Sequence, residues 1–333
     1  MECRPLGASG AQVSRMGLGT LSWGTGTDAE EAANQLVAFV DAGGTLVDTA
    51  DVYGDGESER ILGSLMADLV PREDIVLATK AAARRESGPF GGGASRGSLL
   101  AALEGSLRRL GVDHIDLWQV HAWDPAVPLD ETLSALDHAV TSGKVRYIGV
   151  SNYAGWQLAT AACGLRTTRI VATQTEYSLL ERTPEREIVP AAGHHGIGLL
   201  PWAPLGRGVL TGKYRSGTPA DSRGADPAYG GYVDHHRTDR ASRIVEAVAT
   251  AAEGLGTSPL AVALAWVRDR PGVVAPVVGA RDATQLAGSL AAEELTLPEA
   301  IRGALDDVSL PADDGATARS GAADATDPNE DSP

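Results

Sequence analysis

Apolar and polar positions along this chain switch repeatedly between two periods. Short, β-branched apolar runs stand at 16–20 (MGLGT), 45–50 (TLVDTA), 74–80 (DIVLATK), 116–121 (DLWQVH), 146–151 (RYIGVS), 171–177 (VATQTEY), 198–204 (GLLPWAP) and 274–280 (VAPVVGA). Between them lie segments with apolar positions three and four apart, at 28–43, 58–69, 95–111, 130–143, 152–164 and 184–196. The first pattern predicts strands and the second amphipathic helices. Cap residues such as Asp28 and Ser58 open helical segments, and Gly43, Gly111 and Gly143 close them. Strict alternation of strand and helix implies a parallel sheet, and eight such units predict an α/β fold, a closed (β/α)8 TIM barrel. The opening residues 3–14 predict a short β-hairpin around Gly7 and Gly10. After the seventh strand, 205–239 runs without clear periodicity and reads as a long functional loop. Helices at 239–254 and 258–269 then lead to the eighth strand, and a last helix is expected near 298–308.

Composition trims the possibilities. The chain has 333 residues, 43% of them hydrophobic, enough to bury a substantial core. The last stretch from Pro311 is rich in Asp, Ala, Gly and Ser and reads as a disordered acidic tail, so residues 1–310 are expected to form the barrel and 311–333 the tail. A net charge of −16 argues against nonspecific affinity for nucleic acid or anionic membranes. Cys3 and Cys163 are the only cysteines. With no signal-peptide pattern and no apolar run long enough for a membrane span, a reducing cytoplasm is the expected compartment. A Rossmann fold is a poor alternative. Gly17-Leu18-Gly19 lacks the third glycine of a dinucleotide fingerprint, and the Gly91–Gly93 run lacks the Lys-Ser/Thr of a P-loop.

Candidate chemistry gathers at the strand ends. Asp48, Tyr53, Lys80 and His121 sit at or just after the ends of three successive strands. Such ends converge on one face of a parallel barrel, with adjacent strands about 4.8 Å apart. A free phenol has a pKa of about 10, so Tyr53 holds its proton at neutral pH and an ammonium beside it is expected to lower that value. Lys80, one of only three lysines, supplies this charge; Asp48 orients Lys80, and His121 hydrogen-bonds a substrate oxygen or relays a proton. Such a group can deliver a proton to a carbonyl. The pairs His194-His195 and His235-His236 raise a metal hypothesis, but adjacent side chains diverge and exposed polar residues are the expectation, with no metal.

The motifs GLGT-x-SWG (17–24), VDTADVYGDGESERILG (47–63), the lysine closing LATK, DLWQVH, IGVSNY (148–153), QTEYSLL (174–180), PWAPLGRGVLTGKY (201–214) and PVVGARDATQL (276–286) together resemble the aldo-keto reductase superfamily. The pattern is closer to the bacterial branch that also resembles potassium-channel β subunits than to the classic animal aldose reductases. The resemblance implies a barrel that binds NADPH at the strand C-termini and passes hydride to an aldehyde or ketone. It makes Asp48, Tyr53, Lys80 and His121 the catalytic tetrad. Ser151, Asn152 and Gln174 would hold the carboxamide, and Trp202 would stack on the nicotinamide, where many relatives have tyrosine. Ala203, Pro204, Leu205, Gly206, Arg207 and Gly208, with Leu210, would line the pyrophosphate, Arg207 pairing with phosphate oxygens. Gly19, Thr20 and Leu21 are further cofactor contacts. Gly279, Ala280 and Arg281 open a helix whose start suits the 2′-phosphate, with Gln285 on its first turn.

Relatives often carry Glu-Asn three and four residues after the position of Gln285; this chain has Gly288 and Ser289, which weakens the adenine contacts and the case for NADPH over NADH. For the substrate, Trp23, Tyr53, His121 and Trp123 follow strand ends and shape a pocket, although Trp23 and Trp123 serve equally well as packing. The reading is an NADPH-dependent reductase of a small-molecule aldehyde or ketone, with Tyr53 as general acid. Its alternatives are a cofactor-holding, redox-sensing regulatory subunit and a keto-sugar reductase of a biosynthetic pathway.

Overall fold

A computed structural model describes residues 1–83, 92–220, 222–225 and 230–311. The acidic tail, from residue 312, and Gly91 lie outside the described residues.

Cys3–Pro5 (β1) and Gln12–Ser14 (β2) form an antiparallel hairpin. Eight parallel strands follow: Gly17–Gly19 (β3), Leu46–Asp48 (β4), Val76–Ala81 (β5), Ile115–Val120 (β6), Val145–Ser151 (β7), Ile170–Glu176 (β8), Gly198–Trp202 (β9) and Val277–Gly279 (β10). Their order in the sheet is β10-β3-β4-β5-β6-β7-β8-β9. The ring closes beside β10, where Leu199 N–H donates to Gly272 O at 2.9 Å and Val274 N–H donates to Leu199 O at 2.9 Å. The eight-strand barrel is therefore as the alternating pattern predicts.

Period two inside the strands sorts the barrel interior into layers. Leu46, Ala78, Leu117, Ala172 and Leu200 occupy the lower interior together with Leu6 and Val13 of the hairpin, which plugs that end. Two residues further along their strands, Asp48, Lys80, Gln119 and Gln174 form a polar layer above them. Gly149 of β7 has to lack a side chain: a Cβ there would lie 2.8 Å from Ala172 O and 3.1 Å from Gln119 Cγ.

The outer ring comprises Ala29–Asp41 (α1), Glu57–Asp68 (α2), Arg96–Leu110 (α3), Leu129–Thr141 (α4), Gly155–Gly164 (α5), Ile188–His195 (α6), Asp239–Leu255 (α8) and Pro259–Arg268 (α9). Gly230–Asp234 (α7) lies inside the segment expected to be an aperiodic loop; Ala283–Leu290 (α10) and Glu299–Ser309 (α11) follow the barrel. Asp28 caps α1 as expected, accepting from Glu31 N–H. Ser58 does not cap α2, which starts at Glu57 after Gly56. Its buried hydroxyl instead bonds Thr20 O at 3.0 Å and Thr20 Oγ1 at 2.7 Å, and lies 3.0 Å from Thr49 Oγ1. The helix expected from 152 begins only at Gly155, because Asn152 takes a left-handed backbone (φ +57°). No single helix among the described residues is long and apolar enough to cross a membrane.

Candidate active site

Among the described residues, the non-glycine residues with left-handed φ are Asp55, Ala82, Asn152, Ala203 and Arg207. Each lies in a loop that follows the C-terminal end of a barrel strand. Such backbone costs of order 1–3 kcal/mol per residue and concentrates where a site over-determines the local structure. The strand C-termini are thus where the fold spends stability.

The polar layer opens onto this face. Lys80 is fully buried, and its Nζ donates to Asp48 Oδ2 at 2.6 Å, to Thr49 O at 2.8 Å and to the Tyr53 hydroxyl at 3.4 Å. Asp48 accepts through its other oxygen from Gln174 Nε2 at 3.0 Å and Gln119 Nε2 at 3.3 Å. Every polar atom of a buried ion pair needs such partners, because desolvation otherwise outweighs the Coulomb attraction. His121 stands edge-on to Tyr53, ring centroids 6.0 Å apart. The four residues singled out at three strand ends therefore meet at one point.

Their protonation departs in one respect from the sequence expectation. Burial is the largest influence on Tyr53 and raises its pKa; Lys80 pulls the other way and Asp48 adds to the rise, so the net direction is up, not down. For Lys80, burial alone would lower the pKa, but Asp48 and Tyr53 together outweigh it and the net direction is up. Lys80 stays charged and Tyr53 stays protonated. His121 is pushed down to about 3, by burial first and the Lys80 charge second, so its imidazole is neutral near pH 7.

This has a consequence for stability. The unfolded chain takes up a proton on His121 near pH 6.5, whereas the folded chain refuses it down to about pH 3. The unfolded state binds more protons in that window, so stability falls with falling pH there, by at most about 1.4 kcal/mol per pH unit from this group. Urea melts of wild type and His121→Asn should show the wild type losing more stability than the variant as pH drops below 6.5. Parallel pH profiles would contradict the neutral, desolvated imidazole.

Around this group the remaining sequence candidates take varied positions. Asn152 donates from Nδ2 to His121 O at 3.0 Å and Ser151 Oγ at 3.1 Å, and its Oδ1 accepts the Trp202 indole N–H at 2.9 Å. One side chain thus joins the ends of β6, β7 and β9. Gln174, expected to face a carboxamide, gives its amide N–H to Asp48. Gly19 is buried in β3, Thr20 bonds Asp48 O at 3.2 Å, and Leu21 is exposed on the loop that follows. Ala203 to Gly208 form a tight turn after β9, with Leu210 buried beneath it. Gly206 has left-handed backbone (φ +55°), and a Cβ there would force the Leu180 side chain aside, lying 2.6 Å from its Cδ1. Arg207 forms a bidentate pair with Glu176, so its fork is committed to the protein.

At β10, Gly279 is exposed and Ala280 buried. Arg281 stands just before the Asp282 cap of α10, and its N–H donates to Gln285 Oε1 at 3.3 Å. The first turn of α10 already has carboxylate partners: Asp282 accepts from Gln285 N–H and Glu31 accepts from Ala283 N–H. Trp23 is fully buried and its indole N–H bonds Gln35 Oε1 at 3.1 Å, so it packs and does not face the mouth. Trp123 is half-buried, edge-on to Tyr153 at 5.2 Å and to exposed Trp156 at 5.5 Å. His194 and His235 are exposed as expected, but His236 is buried, because Glu176 draws it inward.

Gln119 and Glu176 are the site neighbours that sequence reasoning passed over. Alternation along IDLWQV already places Gln119 on the face of Leu117, pointing into the barrel. No local signal marks Glu176, whose partners lie 31 and 60 residues away.

The model of the Aldo/keto reductase family matches residues 15–309. The chain belongs to the aldo/keto reductase family. It is 38% identical over 320 residues to the uncharacterized oxidoreductase YrpG of Bacillus subtilis (strain 168), covering 92% of this chain and 96% of that protein. It is 35% identical to a probable voltage-gated potassium channel subunit beta of Oryza sativa subsp. japonica, over 90% of this chain and 94% of that one. The aldo-keto reductase YhdN of Bacillus subtilis (strain 168) is 35% identical, with 86% and 87% covered.

Proposed function

We propose that this aldo/keto reductase reduces an aldehyde or ketone to the alcohol with NADPH, Tyr53 acting as general acid. The observation that carries the reading is the buried Asp48–Lys80 pair, with the ammonium 3.4 Å from the Tyr53 hydroxyl at the barrel's C-terminal mouth. The chain's residues fit a nicotinamide cofactor on structural grounds. His121 Nδ1 is buried without a partner, and Asn152 accepts the Trp202 indole N–H at 2.9 Å while bonding the His121 carbonyl at 3.0 Å, so an imidazole and an aromatic ring are fixed together at the mouth. Ser151, Asn152 and Trp202 would hold the nicotinamide end, Gly19 to Leu21 and the 203–208 turn the pyrophosphate, and Arg281 with Gln285 the 2′-phosphate end.

When bound, the cofactor supplies the hydride. Tyr53 donates its hydroxyl proton to the carbonyl oxygen. The neutral His121 offers one ring N–H to the same oxygen and orients it. Lys80, kept charged by Asp48, stabilises the phenolate that Tyr53 becomes. Asp48 is itself held by the two glutamine amides, so the ammonium cannot swing away.

A fluorescence titration with NADPH and NADH, followed by a panel of carbonyl substrates, tests this reading. NADPH binding much tighter than NADH is expected, with repeated turnover of at least one carbonyl. Comparable binding of the two would assign dual specificity and leave Arg281 without a discriminating role. Folded, cofactor-free protein that binds neither would sink the reading. The 35% identity to a plant protein described as a probable channel subunit favours one second reading, a cofactor-holding regulatory subunit. Tight cofactor binding with a single slow turnover across the panel would select it.

A further inference from the structure

β8 ends on Glu176, in register with Trp202 at the end of β9. Two elements claim its carboxylate. Arg207 approaches as a fork, Nε donating to Oε1 at 2.9 Å and Nη2 to Oε2 at 2.6 Å. The remaining nitrogen, Nη1, donates to Tyr232 O at 2.7 Å, and the guanidinium carbon lies 3.7 Å from the centroid of the Tyr232 ring and 5.9 Å from that of Trp202. From the other side, His236 Nε2 lies 2.8 Å from Oε1, with the imidazole side chain only 5% exposed. One carboxylate thus joins the barrel rim, the turn after β9 and the 230–236 segment. Charge-assisted, bidentate pairs are the stronger and more directional hydrogen bonds, and burial screens this one from water. Arg207 is held in left-handed backbone (φ +58°), a conformation that persists only where surrounding contacts fix it.

We propose that Glu176 is a positioning residue for the cofactor: by holding Arg207 and His236 together it fixes the 203–208 turn and the 230–236 segment beside Trp202. Arg207 then supports the Trp202 indole, its fork turned to Glu176 and not to a phosphate. This rests on the NADPH reading above. Protonation or amidation of Glu176 would break one arm of the fork and leave the buried imidazole facing an amide.

The test uses Glu176→Gln and His236→Gln in the full chain, each first shown to melt cooperatively. Backbone hydrogen exchange in ligand-free protein should be faster across 230–236 by roughly tenfold or more in Glu176→Gln, and by less in His236→Gln, which keeps the fork. NADPH should bind Glu176→Gln roughly tenfold or more weakly, through faster release. Its loss in kcat/KM for NADPH should be carried by KM. Unchanged exchange in a folded Glu176→Gln protein would overturn the proposal, as would faster exchange with unchanged NADPH affinity. If Glu176→Gln fails to fold, His236→Gln decides by the same two readouts. Wild-type protein that does not bind NADPH would overturn the cofactor reading and this proposal together; that failure shows before any variant is made.

Discussion

Replacing Tyr53 with phenylalanine is expected to lower the rate of carbonyl reduction by roughly 10²–10⁴-fold, the range over which a positioned general acid contributes, while NADPH binding persists. The substitution removes one oxygen and leaves the ring in place against His121. The Lys80–Asp48 bond at 2.6 Å and the Lys80–Thr49 bond at 2.8 Å do not involve that oxygen, so the fold should hold. Burial raises the phenol's pKa and Lys80 only partly offsets it. The hydroxyl is therefore protonated across the neutral range, and the rate of reduction should not fall with rising pH through ionisation of Tyr53 near neutrality. Steady-state reduction of a responsive carbonyl, paired with a fluorescence titration of NADPH, separates the two effects. Wild-type rates in Tyr53→Phe would mean that another group protonates the oxygen.

Much of this architecture is legible from periodicity because its causes are local. Each barrel strand buries both faces, so its apolar run stands out, and each helix needs one apolar stripe. The convergence of Asp48, Tyr53, Lys80 and His121 follows from topology alone: three successive parallel strands must end side by side. What was not legible depends on distant groups. Ser58 has the chemistry of a helix cap, yet Thr20 and Thr49 offer its hydroxyl buried partners and α2 starts a residue earlier. Asn152 looks like the start of a helix, but bonds to His121, Ser151 and Trp202 hold it in left-handed backbone. His236 looks like a solvated surface histidine until Glu176 supplies a buried acceptor from 60 residues away. The sign of the Tyr53 shift is hidden from the sequence for the same reason. An ammonium beside a phenol is readable from strand ends, whereas the depth of burial that outweighs it is a property of the closed barrel.

Lys80→Met is expected to cost both activity and stability, and the two losses have separable causes. Lys80 is fully buried and Asp48 nearly so. Removing the ammonium leaves a carboxylate in the barrel with only the amides of Gln119 and Gln174 beside it. Breaking one side of a buried pair costs about 3–5 kcal/mol, because the remaining charge stays desolvated. Activity should fall at least as far as in Tyr53→Phe, since the phenolate formed on proton donation loses its neighbouring charge. Combining Lys80→Met with Asp48→Asn removes the stranded charge, so urea melts should show much of the stability restored while reduction remains lost. With Asp48→Asn alone and the wild type, these variants form a double-mutant cycle whose coupling energy reports the pair itself. The folded pKa of Lys80 lies above the ordinary lysine value of 10.5, so the pair's contribution is fully present below that pH. It should fade only as pH rises through the folded value, and Lys80→Met should lack that alkaline limb. A single variant as stable as wild type, or a double variant no more stable than Lys80→Met, would show that the Asp48 charge is relieved by some other route. The ammonium would then serve the chemistry of Tyr53 alone, and the buried pair would have no separate part in holding the polar layer of the barrel together.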